Sequence, residues 1–361
     1  MKNITFVFNE GRKLRLDMEP NGPKEFFYTY SQFKEINPNV NFIEMKPKGN
    51  FLLDYLFKGI RKVLDLPIYT EKLLTYKNIN TIFKSEIVIA TNQNIGYSLL
   101  PVLIIKKIFI KSEFYIISMG ILENLNNKKI NNLIVKKLIK FSTKIIFISK
   151  NELKIAADLF PKYNFKFLYI PFGIDTKFWK AMKNRKKINN KILFIGNDNF
   201  RDFNFIVQLA QNMKQFQFTF LTNRIEKVSS ENITLINGSW KDHIFSDNQV
   251  RKLYQNHSIT LIPLVESLQP SGQSVALQSI SSNTPVIISK IKGFWDYESF
   301  EDNKHIIFMS ENNIDIWKSK IEELLSNEEK YRKIVTDGNK LVKENFNIEI
   351  MFNSFRELFN F

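Results

Sequence analysis

The stretch that decides the fold is ITLIPLVESLQPSGQSVALQSISSNTPVII, residues 259–288. Its first residues, Ile259–Pro263, are mostly apolar and β-branched, which is typical of a buried strand. A loop of small and polar residues follows, a helical pattern starts at about Ser274, and Pro285–Ser289 has the composition of a second strand. Because a strand, a helix and a strand in this order form a parallel pair, the stretch predicts an α/β domain.

The loop before this helix has the features of a phosphate-binding segment. The backbone N–H groups in the first turn of a helix are unpaired and carry the positive end of its dipole. Ser271 and Gly272 are small, so a diphosphate could approach these groups and those of Gln273 and Ser274. Gln278 lies four residues after Ser274 on the same helix face, within reach of a ribose. The alternative is an ordinary helix start with an incidental glutamine.

The rest of the chain repeats this alternation of strands and helices. The expected strands of the first half are Ile4–Phe8, Asn41–Glu44, Glu86–Ala90, Phe114–Ser118 and Lys144–Ser149. Those added in the second half are Lys191–Gly196, Gln217–Thr222, Asn232–Ile236 and His305–Met309. Helices are expected to open at Gly22-Pro23-Lys24-Glu25, to cover Phe51–Leu66, and to start at about Phe203, Asp247, Ile314 and Glu328.

With 361 residues the chain is too long for one compact core. The pattern predicts an α/β protein of two doubly wound, Rossmann-like domains that face each other across a cleft. We expect the first domain at residues 1–180, the second at 181–345 and a C-terminal helix at 346–361. Ligands of open parallel sheets bind outside the carboxyl ends of the strands, so the loops there are expected to form the site.

The composition excludes several kinds of site. Without cysteine the chain has no disulfide, thiolate zinc site or cysteine nucleophile. No strand end has an Asp-x-Asp pair, so no metal is expected. The first residues have too short an apolar stretch for a signal peptide, and the apolar tract 99–105 is too short to span a bilayer. The expected location is the cytoplasm.

The positive charge is concentrated in the first half of the chain. Of the formal net charge of +16, residues 1–180 carry +14 (29 basic, 15 acidic) and residues 181–361 carry +2 (23 basic, 21 acidic). A lysine-rich face on the first domain would be attracted to an anionic bilayer by about 1 kcal/mol per basic residue. We expect peripheral binding to the inner face of the membrane, rather than to nucleic acid; a merely solvated face is the alternative.

The residues expected on this membrane-facing surface are lysines in and before the helical pattern 128–144. That pattern mixes apolar and basic positions and could lie on a bilayer, or it could be an ordinary helix with core-facing leucines. The candidates are Lys106, Lys107, Lys111, Lys136, Lys137 and Lys140.

Residues 261–288 resemble the nucleotide-sugar segment of the retaining GT-B glycosyltransferases of family GT4. In that family two glutamates, eight positions apart, flank the small-residue loop. Their places here are Pro270 and Gln278, so both acids are missing, as in a known variant with Ser-Gly-Gln-Ser and Gln. The resemblance implies a nucleotide-diphosphate sugar as co-substrate and no other cofactor. It also implies that loop amides and Gln278 bind donor sugar and ribose.

The resemblance covers most of the chain. Pro171–Phe178 is similar to the family's interdomain segment, and Ile348–Phe359 to its helix that crosses back to the first domain. Three further donor contacts are implied. Arg201 would bind the diphosphate, with a surface ion pair to Asp198 or Asp202 as the alternative. Trp240 would contact the base, with a packed indole as the alternative, and Gly293 would let the backbone approach the donor.

In the first domain, the resemblance implies that Gly11 approaches the donor diphosphate after the first strand. Arg12 and Arg15 could then meet phosphate or the acceptor headgroup, unless this loop is only a mobile basic segment. The family's histidine near the sugar is missing after Phe114–Ser118. Glu10 and Glu123 are therefore weak candidates for orienting the acceptor hydroxyl. The absence of a general base there favours a retaining reaction in which the leaving diphosphate takes the acceptor's proton.

Together these features predict a retaining hexosyltransferase. A UDP-sugar is the favoured donor, and diacylglycerol at the membrane is the first acceptor. A saccharide acceptor in lipopolysaccharide or exopolysaccharide assembly is the next possibility. An epimerase would need cleft carboxylates and histidines that this chain lacks. A non-catalytic basic module that binds membrane or nucleic acid is the remaining alternative, because both family glutamates are missing.

Overall fold

The structure is a computed structural model that describes residues 1–46, 51–125, 129–182, 189–238 and 245–361. The chain divides into two compact units. The first consists of Met1–Pro20, Phe26–Pro171 and Ser354–Phe361, and the second of Asn21–Glu25 and Phe172–Asn353. The expected boundary at residue 180 therefore falls inside the second unit. Residues 21–25 belong to that unit although the chain on either side of them belongs to the first.

The sheet of the first unit is made of β1 (Ile4–Phe8), β2 (Val40–Glu44), β3 (Ile87–Ala90), β4 (Glu113–Ser118), β5 (Lys144–Phe147) and β6 (Phe167–Tyr169). The strands are parallel and lie in the order β2-β1-β3-β4-β5-β6. Every residue of β1 and β3 is buried, as in parallel strands covered on both faces. The sequence predicted five of these strands and missed β6, which is short and half-buried.

The helices of the first unit are α1 (Arg12–Met18), α2 (Tyr30–Ile36), α3 (Phe51–Leu64), α4 (Tyr76–Lys84), α5 (Gln93–Phe109), α6 (Lys129–Phe141) and α7 (Lys150–Leu159). Thr75, Asn92 and Ser149 cap α4, α5 and α7 by accepting a hydrogen bond from a first-turn N–H. The helix predicted to open at 22–25 is wrong. Glu25–Phe27 forms one 3-10 turn, which ends because Tyr28 and Thr29 have positive φ angles, 47° and 70°, that a helix does not allow.

The second sheet is made of β7 (Lys191–Ile195), β8 (Gln217–Leu221), β9 (Ile233–Ile236), β10 (Ile259–Ile262), β11 (Val286–Ser289) and β12 (Ile307–Met309). These strands are also parallel, in the order β12-β11-β10-β7-β8-β9. In the middle of the sheet Leu261 lies opposite Phe194 on one side and Ile287 on the other. The six strands expected here are confirmed.

The remaining helices are α8 (Phe203–Asn212), α9 (Asp247–Asn256), α10 (Gln273–Ser281), α11 (Ile314–Ser326), α12 (Glu328–Asn345) and α13 (Ile348–Leu358). One face of the second sheet is covered by an apolar cluster that includes Phe205, Leu209 and Trp317. The rings of Phe205 and Trp317 meet edge to face, with centroids 5.2 Å apart. This core holds the strand ends from which the candidate site is built.

The last helix starts in the second unit, and from Ser354 the chain belongs to the first. The ring centroid of Phe359 lies 4.9 Å from that of Tyr115 and 5.6 Å from that of Phe33. The Lys2 amine donates a hydrogen bond of 2.8 Å to the Phe359 carbonyl oxygen. The end of the chain is therefore anchored in the first unit. In the ranges that the structure describes, no helix is both long enough and apolar enough to cross a bilayer.

Candidate functional site

Three segments of the second unit follow the carboxyl ends of neighbouring strands. Residues 196–202 follow β7, residues 264–272 follow β10, and residues 290–296 follow β11. A β-bridge joins Arg201 to Leu264, and the Gly293 N–H donates to the Ser267 carbonyl oxygen at 2.8 Å. The fold therefore brings three of the predicted donor-binding segments to one edge of the sheet.

Helix α10 starts at a backbone position that requires glycine. Gly272 precedes its first residue and has φ +82°, in the left-handed region that side chains disfavour. A Cβ there would lie 2.8 Å from Ile262 Cγ2 and 3.4 Å from Arg201 Nη1. Gly272 itself has no side chain that could cap this end of the helix. The Arg201 guanidinium therefore lies beside a small-residue helix start.

Arg201 is a buried cation beside this helix start. Its side chain is 2% exposed, Nη1 lies 3.0 Å from Asp198 Oδ2, and Nε donates to the Ile195 carbonyl oxygen at 3.4 Å. Burial lowers the pKa of Arg201, while Asp198 opposes that shift. The ion pair with Asp198 exists, but it is not a surface pair. Asp202, the other acid considered, instead caps α8 through the Phe205 N–H.

Two buried polar atoms flank the start of α10 without a hydrogen-bond partner among the described residues. They are Arg201 Nη1, which contacts Asp198 without hydrogen-bond geometry, and Ser271 Oγ. Gln273 is buried as well, and Ser274 is half-buried. Since buried polar groups are nearly always paired in folded proteins, the unpaired Ser271 hydroxyl next to a buried guanidinium at a helix N-terminus is consistent with a place for a polar ligand.

Gln278 lies on the next turn of α10 and is 4% exposed. Its Nε2 donates to Glu25 Oε1 at 3.0 Å, and its Oε1 accepts from the Tyr254 hydroxyl at 3.2 Å. Both ends of the amide therefore already have a protein partner. A ribose can bond only to the second Nε2 hydrogen and the second Oε1 lone pair.

Gly293 is a glycine for a different reason from the one expected. A Cβ at this position would lie 2.4 Å from the Gln269 carbonyl oxygen and 2.6 Å from the Leu268 carbonyl carbon. The space beside Gly293 is filled by backbone of the 264–272 segment. Gly293 is thus required by its close approach to the loop, and its approach to the donor stays a prediction.

Trp240 lies outside the described residues, and so does His243. The other two histidines have internal partners. His257 contacts the Leu253 carbonyl oxygen and the Thr219 hydroxyl through its two ring nitrogens, at 2.7 and 2.8 Å. His305 Nδ1 accepts from the Glu301 N–H at 3.1 Å. Both histidines therefore have a structural role.

The predicted residues in and after the loop that follows β1 differ in their exposure to solvent. Glu10 is exposed, and Gly11, with φ 90°, precedes α1. Arg15 is buried, with its guanidinium carbon 3.6 Å from the centroid of the Phe26 ring. Arg12 is half-buried near the same ring. Stacking on Phe26 holds Arg15 away from solvent, and its contact with phosphate or the acceptor headgroup stays a prediction.

Glu123 is exposed in the 3-10 turn Ile121–Asn124 after β4. A different carboxylate, which the sequence did not single out, holds this turn. Glu152 is buried and accepts hydrogen bonds from the Gly120 N–H at 3.1 Å and the Ser118 hydroxyl at 3.0 Å. Burial raises the pKa of Glu152 to about 7, against these bonds.

Solvent exposure agrees with the predicted lysine patch at every position but one. Lys107, Lys111, Lys136, Lys137 and Lys140 are exposed. Lys106 is completely buried, and its amine donates to the Ser85 backbone carbonyl oxygen. Burial lowers the pKa of Lys106 to about 8. Its place in a membrane-facing surface is therefore wrong, because Lys106 is on the side of α5 that faces the core.

Comparison with solved structures identifies the architecture. Over its full length the chain is similar to sucrose-phosphate synthase from Thermosynechococcus elongatus, with a TM-score of 0.72, 12% identity and 98% of that chain covered. It is also similar to Anabaena HepE in complex with UDP and glucose, with a TM-score of 0.69, 12% identity and full coverage of both chains. A glycosyltransferase from Rickettsia africae gives a TM-score of 0.65 at 13% identity, with 99% of this chain and 98% of that chain covered.

The chain has the GT-B fold. Two parallel six-stranded sheets with helices, together with these full-length likenesses, confirm the expected fold class. No protein-family model matches the sequence, and no curated protein matches it. At 12% identity the solved structures establish the fold alone.

The described part of the chain has no cluster of potential metal ligands. Within the described ranges no group of three or more His, Asp or Glu side chains could hold a metal ion. The polar groups at the α10 start are instead backbone amides, a guanidinium and a hydroxyl. Such groups bind anions, phosphates and carboxylates among them.

The buried group that sequence reasoning missed is the cluster of Glu25, Trp179 and Tyr254 behind Gln278. Glu25 Oε1 accepts from Trp179 Nε1 at 2.6 Å, and the Trp179 and Tyr254 rings meet edge to face with centroids 5.8 Å apart. No local pattern marks Glu25. Its partners lie more than 150 positions away in the sequence, so only tertiary structure reveals it.

Glu25 and Glu152 give the stability of this protein a defined pH dependence. Burial raises the pKa of each from 4.5 to about 7. The folded state thus holds these protons more tightly than the unfolded state does. Their stabilisation is complete below pH 4.5 and is lost as the pH rises through about 7. Each shift corresponds to at most about 3 kcal/mol.

Between pH 5.5 and pH 8 the free energy of unfolding, measured with urea, should fall less in Glu152→Gln than in wild type. Glu323, with a pKa of about 2 next to Lys320 and Lys330, does not titrate in this window. His305, whose pKa burial lowers, acts with the opposite sign in both proteins. An identical pH dependence in wild type and Glu152→Gln would contradict the assignment.

Proposed function

We propose that this protein is a retaining glycosyltransferase that moves a hexose from a nucleotide-diphosphate sugar to an acceptor at a membrane surface. The observation that carries the donor half is a buried cation, the Arg201 guanidinium, and a buried hydroxyl without a hydrogen-bond partner among the described residues, Ser271 Oγ, beside the start of α10. A UDP-sugar is the favoured donor, since the HepE structures of the same fold hold UDP with glucose and UDP-glucose.

In this proposal the diphosphate lies against the first-turn amides of α10 and the Arg201 guanidinium. The bond from the anomeric carbon to the phosphate oxygen breaks, and negative charge builds up on the diphosphate next to these donors. The acceptor oxygen bonds to the anomeric carbon on the same face, and its proton passes to the departing phosphate oxygen. No protein base is needed, which agrees with the structural role of His257 and His305.

The acceptor half of the proposal rests on the surface of the first unit. Leu52, Tyr55, Leu56 and Val63 of α3 are exposed and recur at helical spacing, so they form one apolar stripe, with Tyr55 at 80% exposure. Lys58 and Lys62 of the same helix are exposed as well. An apolar stripe bordered by lysines is the pattern of a helix that lies in an anionic membrane interface.

A second apolar area has the same composition. Ile108 and Phe109 at the end of α5 are more than 70% exposed, next to the exposed Lys107 and Lys111. These two areas support a lipid acceptor, with diacylglycerol as the first choice, over a soluble saccharide.

The test is a panel of UDP- and GDP-hexoses, each incubated with the protein with and without anionic vesicles that contain diacylglycerol. We expect release of nucleoside diphosphate and a new glycolipid with one donor, and retention of the α configuration at the anomeric carbon in the product. Turnover only with an oligosaccharide acceptor would replace the lipid half of the proposal. Absence of donor binding and of turnover with every pair would leave a non-catalytic module.

The vesicle arm has its own variant. Leu52→Glu combined with Leu56→Glu is expected to reduce the fraction of protein that sediments with anionic vesicles by about tenfold or more. Burying two exposed leucines in the bilayer contributes about 3 kcal/mol or more to binding, and the variant loses this contribution. Ile316→Glu on α11 of the second unit replaces a residue that is also exposed and serves as the control. Equal losses in both variants would contradict a docking role for α3.

A further inference from the structure

Glu25 is a buried carboxylate in the second unit that the reaction proposed above does not use. It is fully buried and lies at the end of the segment Asn21–Glu25. Its Oε1 accepts from Trp179 Nε1 at 2.6 Å and from Gln278 Nε2 at 3.0 Å, and its Oε2 accepts from the Asp175 N–H at 3.1 Å. Burying a carboxylate costs free energy unless hydrogen bonds compensate for the lost water, and these three donors provide that compensation.

All three partners of Glu25 are donors, and this decides the direction of the Gln278 amide. An ionised carboxylate can only accept hydrogen bonds, so it faces the NH2 end of Gln278 and never the oxygen end. The Tyr254 hydroxyl secures the other end by donating to Oε1 at 3.2 Å. The amide of Gln278 is therefore held in one of its two possible orientations.

We propose that Glu25 is a positioning residue of the donor site, which holds the Gln278 amide so that its second N–H and its second oxygen lone pair point at the bound nucleotide. This inference rests on the proposed function. Gln278 is one helical turn after Ser274, on the same face of α10. Arg201 and Ser271 lie beside the start of this helix. Glu25 does not touch the ligand and acts only through Gln278.

A neutral side chain at position 25 cannot reproduce this arrangement. In Glu25→Gln the new NH2 group must face either the Asp175 N–H or the pair formed by Trp179 and Gln278, so two donors oppose each other. Gln278 then loses its fixed orientation. Protonation of Glu25 places an O–H in the same conflict, and burial raises the pKa of this carboxyl to about 7.

Two effects of pH should therefore have opposite signs. The contribution of Glu25 to stability is lost as the pH rises through about 7. Nucleotide affinity should increase over the same range, because the ionised form orients Gln278. The other ionisable groups at this cluster are Tyr254, whose pKa is raised by burial, the neighbouring Arg201, and Asp175, whose side chain accepts from the Phe178 N–H. The terminal phosphate of the nucleotide also ionises near this range, with a pKa of about 6, so the affinity change that depends on Glu25 is the part that disappears in Glu25→Gln.

The experiment is calorimetric titration of the full chain with UDP, GDP and ADP at pH 6 and pH 8.5, together with thermal unfolding at each pH. Wild type is expected to bind the preferred nucleotide about threefold or more tightly at the higher pH, while its unfolding temperature falls. Glu25→Gln is expected to bind about tenfold more weakly at pH 8.5, the effect of one misaligned polar contact. It should keep only the smaller pH dependence that the terminal phosphate of the nucleotide, with a pKa of about 6, contributes in both proteins.

Two further variants separate positioning from folding. Glu71→Gln alters a buried carboxylate of the first unit that is paired with Arg61 at 2.6 Å, and it should lower stability without changing nucleotide affinity. Gln278→Glu puts two carboxylates within hydrogen-bond distance of each other and should weaken binding as Glu25→Gln does. Wild-type affinity in Glu25→Gln, or a wild-type affinity independent of pH, overturns the inference. Failure of wild type to bind any of the three nucleotides overturns the donor proposal as well.

Discussion

Replacing Arg201 with methionine is expected to weaken binding of the nucleoside diphosphate by about 100-fold, the value of charge-assisted hydrogen bonds from a guanidinium to phosphate. The variant should still fold. Methionine is flexible enough to fill the space next to Gly196, where an added Cβ would already meet the arginine side chain. The abandoned Asp198 is one-third exposed and stays solvated. Titration with UDP and thermal unfolding measure the two effects.

The matched control for this variant is Arg332→Met. Arg332 is an exposed arginine of the second unit that pairs with Glu328 at 2.6 Å, and such surface pairs contribute about 1 kcal/mol or less. Its replacement should leave nucleotide affinity unchanged. If both variants bind UDP as wild type does, Arg201 is only a structural partner of Asp198 and the donor assignment fails at this position.

Gly293→Ala is the second change with a large expected effect. The added methyl group would lie 2.4 Å from the Gln269 carbonyl oxygen and 2.8 Å from its carbonyl carbon. These are backbone atoms that cannot rotate away, so residues 264–272 must shift. We expect a loss of about 1–3 kcal/mol in stability from overpacking, and weaker nucleotide binding because the start of α10 moves with the loop.

Gly59→Ala provides the comparison. Gly59 lies in α3, where an added Cβ meets nothing within 4 Å, and alanine in a helix is favoured over glycine by about 1 kcal/mol. This variant should be as stable as wild type or more stable, with unchanged affinity for UDP. Nucleotide affinity that survives in Gly293→Ala would show that the loop geometry does not control the site.

Most of the fold was accessible from sequence. Strands such as Ile4–Phe8 and Ile259–Ile262 are apolar runs bounded by polar residues, and that local pattern specifies a buried parallel strand. The strand missed, Phe167–Tyr169, is three residues long and half-buried, so it has almost no pattern. The helix wrongly expected at 22–25 had proline in the right place. It did not form because Tyr28 and Thr29 have positive φ angles, which interrupt the helical backbone.

The candidate site was accessible only in part. The small residues Ser271 and Gly272 marked the start of α10, and the glycine is confirmed as a left-handed position. Sequence could not show that backbone of Leu268 and Gln269 fills the space beside Gly293, because this contact joins two segments that are separated along the chain. Lys106 does not belong to the exposed lysine patch for a similar reason. Charge predicts exposure, but this amine is buried and donates to the Ser85 backbone carbonyl oxygen.

The amino-acid sequence by itself determined the alternation of strands and helices, the absence of thiol chemistry, and the small-residue entry to α10. These follow from composition and from periodicities of a few residues, which local sequence carries completely. Tertiary structure decided which charged groups are buried and which partners they have. Glu25 and Gln278 are 253 positions apart, and the burial of one beside the other depends on how the chain returns to the second unit, which no local pattern encodes.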